Sequence, residues 1–313
     1  MNSIRSELNS LLVSEFRSRK SSSAGLFSIV AALFSWSMAI YLSKALCLHH
    51  PNYEILIKFS ALVFIGTRWR SLGNMMHECA HGIFVHKAEH NTLFGHFISA
   101  LDFSSFPEYL AQHVSHHAYL GNPDRDLDFK SRRVFLASSK NKPLHLIRLV
   151  FCCLTLVPLW FSMLRPVFWT KSIPLWTNLV RALLLTGLLS TLLFSATREI
   201  AFFYFLLPYL TSYHWLKLIS DASDHLFLYH KQEILERSRN HILPTRFLNW
   251  FIFPRNDSYH LLHHLFPSLP THHYPRVHKL FLNHPWYAGQ EHGWAEKKIP
   301  SELVATQIQG HRR

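Results

Sequence analysis

Apolar and polar residues fall in long, separate blocks along this chain. Leu26–Cys47 is long enough and apolar enough to cross a bilayer as one helix, with Lys44 placed to snorkel near its end. A His-His-Pro-Asn turn follows. Tyr53–Gly66 then reads as a second span, interrupted by Lys58 and extended by a helical run through Met75. Three apolar blocks lie downstream: Leu146–Leu164, Ala182–Ala196 and Ile200–Ile219. The last two are separated by Thr197-Arg198-Glu199, the expected turn of a helical hairpin. Leu146–Leu164 contains Arg148 and Pro158 and ends at Arg165-Pro166, so it reads as a helix lying in the interface or partly re-entrant.

The pattern predicts an all-α integral membrane protein with about four transmembrane helices in two hairpins. The spans fall at about 26–47, 53–72, 178–197 and 200–219, with the interfacial helix at about 146–164. Arg5, Arg17, Arg19 and Lys20 precede the first span, and Arg68 and Arg70 lie at the end of the second. Basic flanks face the cytoplasm, which puts the N-terminus and the segment after span two on that side. An even number of crossings then returns the polar stretch after Ser220 to the same side, where it forms a helical, histidine-rich cap. The expected organisation is a cytoplasmic segment over 1–25, a membrane domain over 26–290 and a C-terminal tail over 291–313.

Composition agrees. The chain has 313 residues, of which 49% are hydrophobic and only 16% charged, below the roughly 25% of soluble domains. The net charge of +13 accompanies no zinc-finger, basic-zipper or RNA-recognition motif, so it reads as charge facing anionic headgroups and not nucleic acid. Cys47, Cys79, Cys152 and Cys153 form no CxxC pair and read as small core residues outside any disulfide framework. Residues 1–25 show no signal-peptide pattern.

Histidine changes this picture most. Three boxes stand out: His77-Glu-Cys-Ala-His81, His113-Val-Ser-His116-His117 and His260-Leu-Leu-His263-His264. On a helix, residues at i, i+3 and i+4 share a face, so each box is expected to aim two or three imidazoles at one point. Eight imidazoles exceed the four that one tetrahedral zinc takes, which suggests two metals. Random placement would give roughly 0.1 to 0.2 HxxHH matches in such a chain. His49, His50, His96, His214, His241 and His311 read instead as hydrogen-bonded or surface imidazoles. His86 and His90 share the i, i+4 spacing but sit among polar residues without a triplet.

These boxes, in this order and with apolar hairpins between them, resemble the membrane fatty-acid desaturase and hydroxylase family over roughly residues 26–290. The resemblance implies a non-haem centre of two iron ions at the membrane surface, with O2 as co-substrate. It implies the boxed histidines as ligands: His77, His81, His113, His116, His117, His260, His263 and His264. Ser220-Asp-Ala-Ser-Asp-His225 matches the place where some members carry one further ligand, which would be His225. Asp221 stands where a water-holding Asn occurs in relatives. Asp124, Asp126 and Asp128 match the acidic tail of the second box. With Asp224, Asn256 and Asp257 they are expected to orient the imidazoles through their second nitrogen.

The implied activity is insertion of a double bond into a fatty acyl or similarly lipophilic chain. A hydroxylase or oxidative decarboxylase on the same scaffold is the alternative. Box one carries Glu78 where many acyl desaturases have Asp. No His-Pro-Gly-Gly haem motif is present, so electrons would come from a separate protein, a ferredoxin, cytochrome b5 or similar, with its reductase.

Two other readings compete. His77-Glu78-Cys-Ala-His81 is also an HExxH, the motif of zinc metalloproteases with the Glu as general base. Asn122-Pro123-Asp124 faintly resembles a later motif of membrane-embedded members. That reading leaves both HxxHH boxes unexplained. A metal transporter would place its ligands near the bilayer midplane, whereas most histidines here lie outside the spans. The aromatic stretches Phe94–Phe106 and Trp160–Trp176 could line a substrate tunnel, but read first as core or interfacial packing.

Overall fold

The computed structural model describes residues 2–129, 147, 150, 151 and 173–293. Among them the protein is all-helical, with one isolated bridge between Ile242 and Gly293. The expected interfacial helix at 146–164 lies almost wholly outside the described residues, as does the tail beyond 293 and His311.

Ser21 opens helix α2 (Ser22–His49), its hydroxyl accepting from the Ala24 amide at 3.2 Å. Phe27, Val30, Phe34, Tyr41 and Leu42 stay exposed along it, as lipid-facing side chains would. α3 (Glu54–Ala80) runs back beside α2 and is the spine of the fold. Its Ile65, Trp69, Leu72 and Met75 pack with Ile29 and Trp36 of α2 and with Tyr204, Tyr209 and Tyr213. Gly82, at φ +64°, ends this helix just after His81. The Ile83 amide bonds back to the Glu78 carbonyl at 2.9 Å, closing the last turn.

α4 (Ala88–Leu101) and α5 (Phe106–Tyr119) follow; Ser105 caps α5 and Pro107 sits in its first turn. α6 (Leu175–Leu193) and α7 (Ser195–Ala201) come next. Two π turns, Phe202–Leu206 and Tyr209–Tyr213, carry the chain into α8 (His214–His225). The break between α6 and α7 falls at Phe194, which is extended, and not at Thr197-Arg198-Glu199 as the sequence suggested. Those residues are helical because the Thr197 hydroxyl and Arg198 Nε donate to the Thr191 and Leu192 carbonyls, satisfying the end of α6.

The bundle has two chemically distinct ends. At one, Lys58 Nζ lies 2.5 Å from Glu199 and Lys44 Nζ 3.9 Å from it. At the other, α3 delivers His77. Among the described residues, α2 and α6 are the helices long and apolar enough to cross a membrane. α3 carries Lys58, Arg68 and Arg70 and earns its place by packing instead. Gly66 of α3 meets the second π turn so closely that a Cβ there would lie 2.2 Å from Ser212 Oγ.

A second core forms the cap, from α10 (His260–Leu265), α11 (Tyr274–Phe281) and α12 (Pro285–Ala288), with α9 (Arg246–Ile252) between α8 and α10. Leu261, Leu262, Leu265, Val277, Phe281 and Tyr287 are buried there together with Leu8 and Phe16. The N-terminal segment is therefore part of the cap and not a separate stretch. Leu8, on α1 (Asn2–Ser10), is fully buried, and Arg5 donates to the His264 carbonyl at 3.1 Å.

Candidate metal centre

α3, α5, α8 and α10 converge where the bundle meets the cap. They bring nine histidines into two groups: His77, His81, His113, His117 and His263 in one, and His116, His225, His260 and His264 in the other. Each HxxHH box straddles both groups. On α5, His113 and His117 join the first and His116 the second; on α10, His260 and His264 join the second and His263 the first. Each box thus aims two of its imidazoles at one point, as expected, while the third of each HxxHH box joins the other group. Successive helical residues turn by about 100°, so the i, i+4 pair stays together while i+3 points aside.

The Nε2 atoms face one another. In the first group His77 is 2.9 Å from His113 and 3.0 Å from His263, His81 is 2.7 Å from His113, and His117 is 2.9 Å from His263. In the second, His225 lies 3.1 Å from His116 and 2.9 Å from His260, and His264 is 3.0 Å from His260. Imidazoles sharing a metal at about 2.1 Å have neighbouring nitrogens roughly 3 Å apart. Burial, reinforced by the neighbouring imidazoles, holds His113, His260, His263 and His264 well below the usual imidazole range and His81 at about 2. Neutral imidazole is the ligating form. Spacing and protonation state both fit metal ions.

The far nitrogens have partners of their own. His116 Nδ1 meets Asp126 at 3.0 Å, and His225 Nδ1 meets the Arg237 carbonyl at 2.8 Å. His263 Nδ1 meets the Tyr274 hydroxyl at 3.2 Å, and His260 Nδ1 lies 3.4 Å from Asp224. Asp126 is fully buried. Burial alone would raise its carboxyl, but His116 and the Phe129 and Gly121 amides hold it below the usual range. Burial raises Asp224 to about 6 although His241, 2.7 Å away, pulls the other way.

The other expected orienting residues are placed differently. Asp124 is exposed, turned out by an Asx turn in which its amide donates to Asn122 Oδ1. Asn256 donates to the Thr271 carbonyl, and Asp257 is engaged by Arg70 and Ser220. Asp128 reaches His116 only at 3.9 Å. Asp221 lines a cavity walled also by Arg70, Tyr109, Gln112, Tyr213 and Lys217. The cavity reaches His77 and His113 of one group and His116, His225 and His260 of the other. Tyr274, the Arg237 carbonyl and His241 were not anticipated as partners; no spacing relative to the boxes announces them.

The profile of the fatty acid desaturase family matches residues 54–294, a stretch that holds all nine clustered histidines. The chain belongs to the fatty acid desaturase family. The chain is also 26% identical over 258 residues to dihydrorhizobitoxine desaturase of Bradyrhizobium elkanii, an alignment covering 75% of this chain and 70% of the relative. It is accordingly an oxidoreductase of a membrane-associated family.

Box one is not arranged as a protease site. Both Glu78 carboxylate oxygens are taken by Arg255, Oε2 at 2.7 Å from Nη2 and Oε1 against Nε, so Glu78 is not poised as a general base. His77 and His81 are also joined by three further imidazoles, more than an HExxH zinc site requires. The clusters lie where the bundle meets the cap.

Proposed function

We propose that the protein holds one iron in each histidine cluster and uses O2 to introduce a double bond into a fatty acyl or similarly lipophilic chain. The observation that carries this is the pair of adjacent, largely buried Nε2 clusters, five and four imidazoles strong. An all-imidazole donor set suits a first-row metal such as iron. When bound, the irons supply reduction of O2 to two waters, taking two hydrogens from adjacent carbons and two electrons and two protons from outside. Asp126, Asp224 and Tyr274 hold ligand imidazoles in orientation. A cavity lined by polar and charged side chains touches both clusters.

Four crossings, with the N-terminus and clusters on the cytoplasmic side, fit the basic flanks and the Lys44–Lys58–Glu199 grouping at the opposite end. Electrons would arrive from a separate donor protein, a ferredoxin or cytochrome b5 type with its reductase. The similarity to dihydrorhizobitoxine desaturase favours desaturation over hydroxylation.

The test is metal content of the detergent-purified protein, wild type beside His263→Ala, followed by lipid analysis of cells making each. Two irons per chain, diminished in the variant, with new double bonds made only by wild type, is the expected result. New hydroxyl groups would redirect the reading to a hydroxylase. One zinc per chain that survives His263→Ala but not His77→Ala would overturn it.

A further inference from the structure

On α3, Arg70, Asn74 and Glu78 recur every fourth residue and so form one stripe of the helix. Each grips the same short segment. Arg70 Nη2 donates to Asp257 at 2.7 Å and to Ser220 of α8 at 3.1 Å. Asn74 Nδ2 donates to the Pro254 carbonyl at 2.8 Å. Glu78 accepts from two nitrogens of Arg255. The segment runs directly into His260, and the adjoining stripe of α3 carries His77 and His81. The gripped turn is an unfavourable one. Arg255 and Asn256 adopt φ of 66° and 62°, the left-handed region that non-glycine residues rarely enter without outside support.

We infer that Arg70, Asn74 and Glu78 are positioning residues that clamp the 254–257 turn onto α3 and thereby set box three in register with box one. This rests on the metal reading above. Glu78, the box-one acid, then acts through Arg255 and not on substrate. Its two oxygens matter, because both are engaged by guanidinium nitrogens. The fork of Arg255 matters equally, because a point charge can supply attraction without fixing an angle.

A buried ion pair can serve stability alone, so the test separates stability from ligand placement. Glu78→Gln combined with Arg255→Met removes both charges and strands neither. Arg255→Lys keeps the charge and loses the fork. Each full-length variant is purified in detergent, stripped of metal and titrated with Co2+, read by visible absorption, alongside the unfolding temperature of the apoprotein. The expected result is an apoprotein that melts near wild type but binds Co2+ at least tenfold more weakly, with an altered absorption spectrum. Co2+ binding and spectrum equal to wild type in either variant that folds would overturn the clamp alone. Failure of the wild-type chain to bind Co2+ would overturn the metal reading and the clamp with it.

Discussion

Tyr274 holds its hydroxyl 3.2 Å from Nδ1 of His263, the imidazole whose Nε2 meets both His77 and His117. With Nε2 turned into the cluster, Nδ1 carries the proton and donates to the phenol oxygen. Tyr274→Phe removes the acceptor and little volume. Loss of such an outer partner typically costs 10–100-fold in metal affinity. Chelator competition on the purified variant should show a loss of about that size, and unchanged metal retention would refute the orienting role.

Asp126 plays the matching part in the other cluster, but with less tolerance. One of its oxygens accepts from both His116 and the Gly121 amide, and the other accepts from the Phe129 amide. Asp126→Asn has a single carbonyl oxygen, so its amide group must face a donor inside a fully buried site. A buried polar group left unmatched costs about 1–3 kcal/mol. The variant should unfold at lower temperature and lose metal, whereas Asp124→Asn, at an exposed position, should do neither.

Acidification should destabilise the metal-free protein. His113, His260, His263 and His264 are held well below 6.5 in the folded state, and unfolded imidazoles titrate near about 6.5. Below that pH the unfolded chain binds protons that the folded chain refuses, and stability falls by up to about 1.4 kcal/mol per imidazole per pH unit. Asp224 runs the other way. Its carboxyl, raised to about 6, takes up a proton in the folded state first and offsets one group's worth between about 4 and 6. Apoprotein unfolding temperatures at pH 8, 7, 6 and 5 should drop steeply below the first two. A flat profile would contradict neutral imidazoles.

Gly66→Ala would test the close approach of α3 to the second π turn. The added Cβ meets Ser212 Oγ, which is already committed to the Leu62 carbonyl at 2.8 Å. Overpacking of this kind costs about 1–3 kcal/mol. Thermal unfolding should register it, while Gly187→Ala, with nothing near its Cβ, should leave the unfolding temperature where it was or raise it.

The histidines were legible because spacing on a helix is a property of sequence. The same holds for α2, where a long apolar run needs no tertiary context. What the boxes hide is their division. His116 points aside from His113 and His117, and only the arrival of His225 and His260 from distant segments shows what it joins. The carboxylates divide for a similar reason. Asp124 and Asp126 lie two residues apart in one acidic run, yet the turn at Asn122 sends one to solvent and buries the other against His116. Nor does the polar N-terminal stretch announce that Leu8 will fill a place in the cap core.

The crossed allocation of histidines between α5 and α10 also bears on how the centre is assembled. Each helix gives two imidazoles to one site and one to the other, in opposite sense. Neither site can be finished while the other waits, since the same docking of two helices completes both. An ion caught in either site would hold α5 against α10 and so prepare its neighbour. If the clusters hold metal as proposed, loading would proceed as one cooperative event, with metal fastening the cap to the bundle.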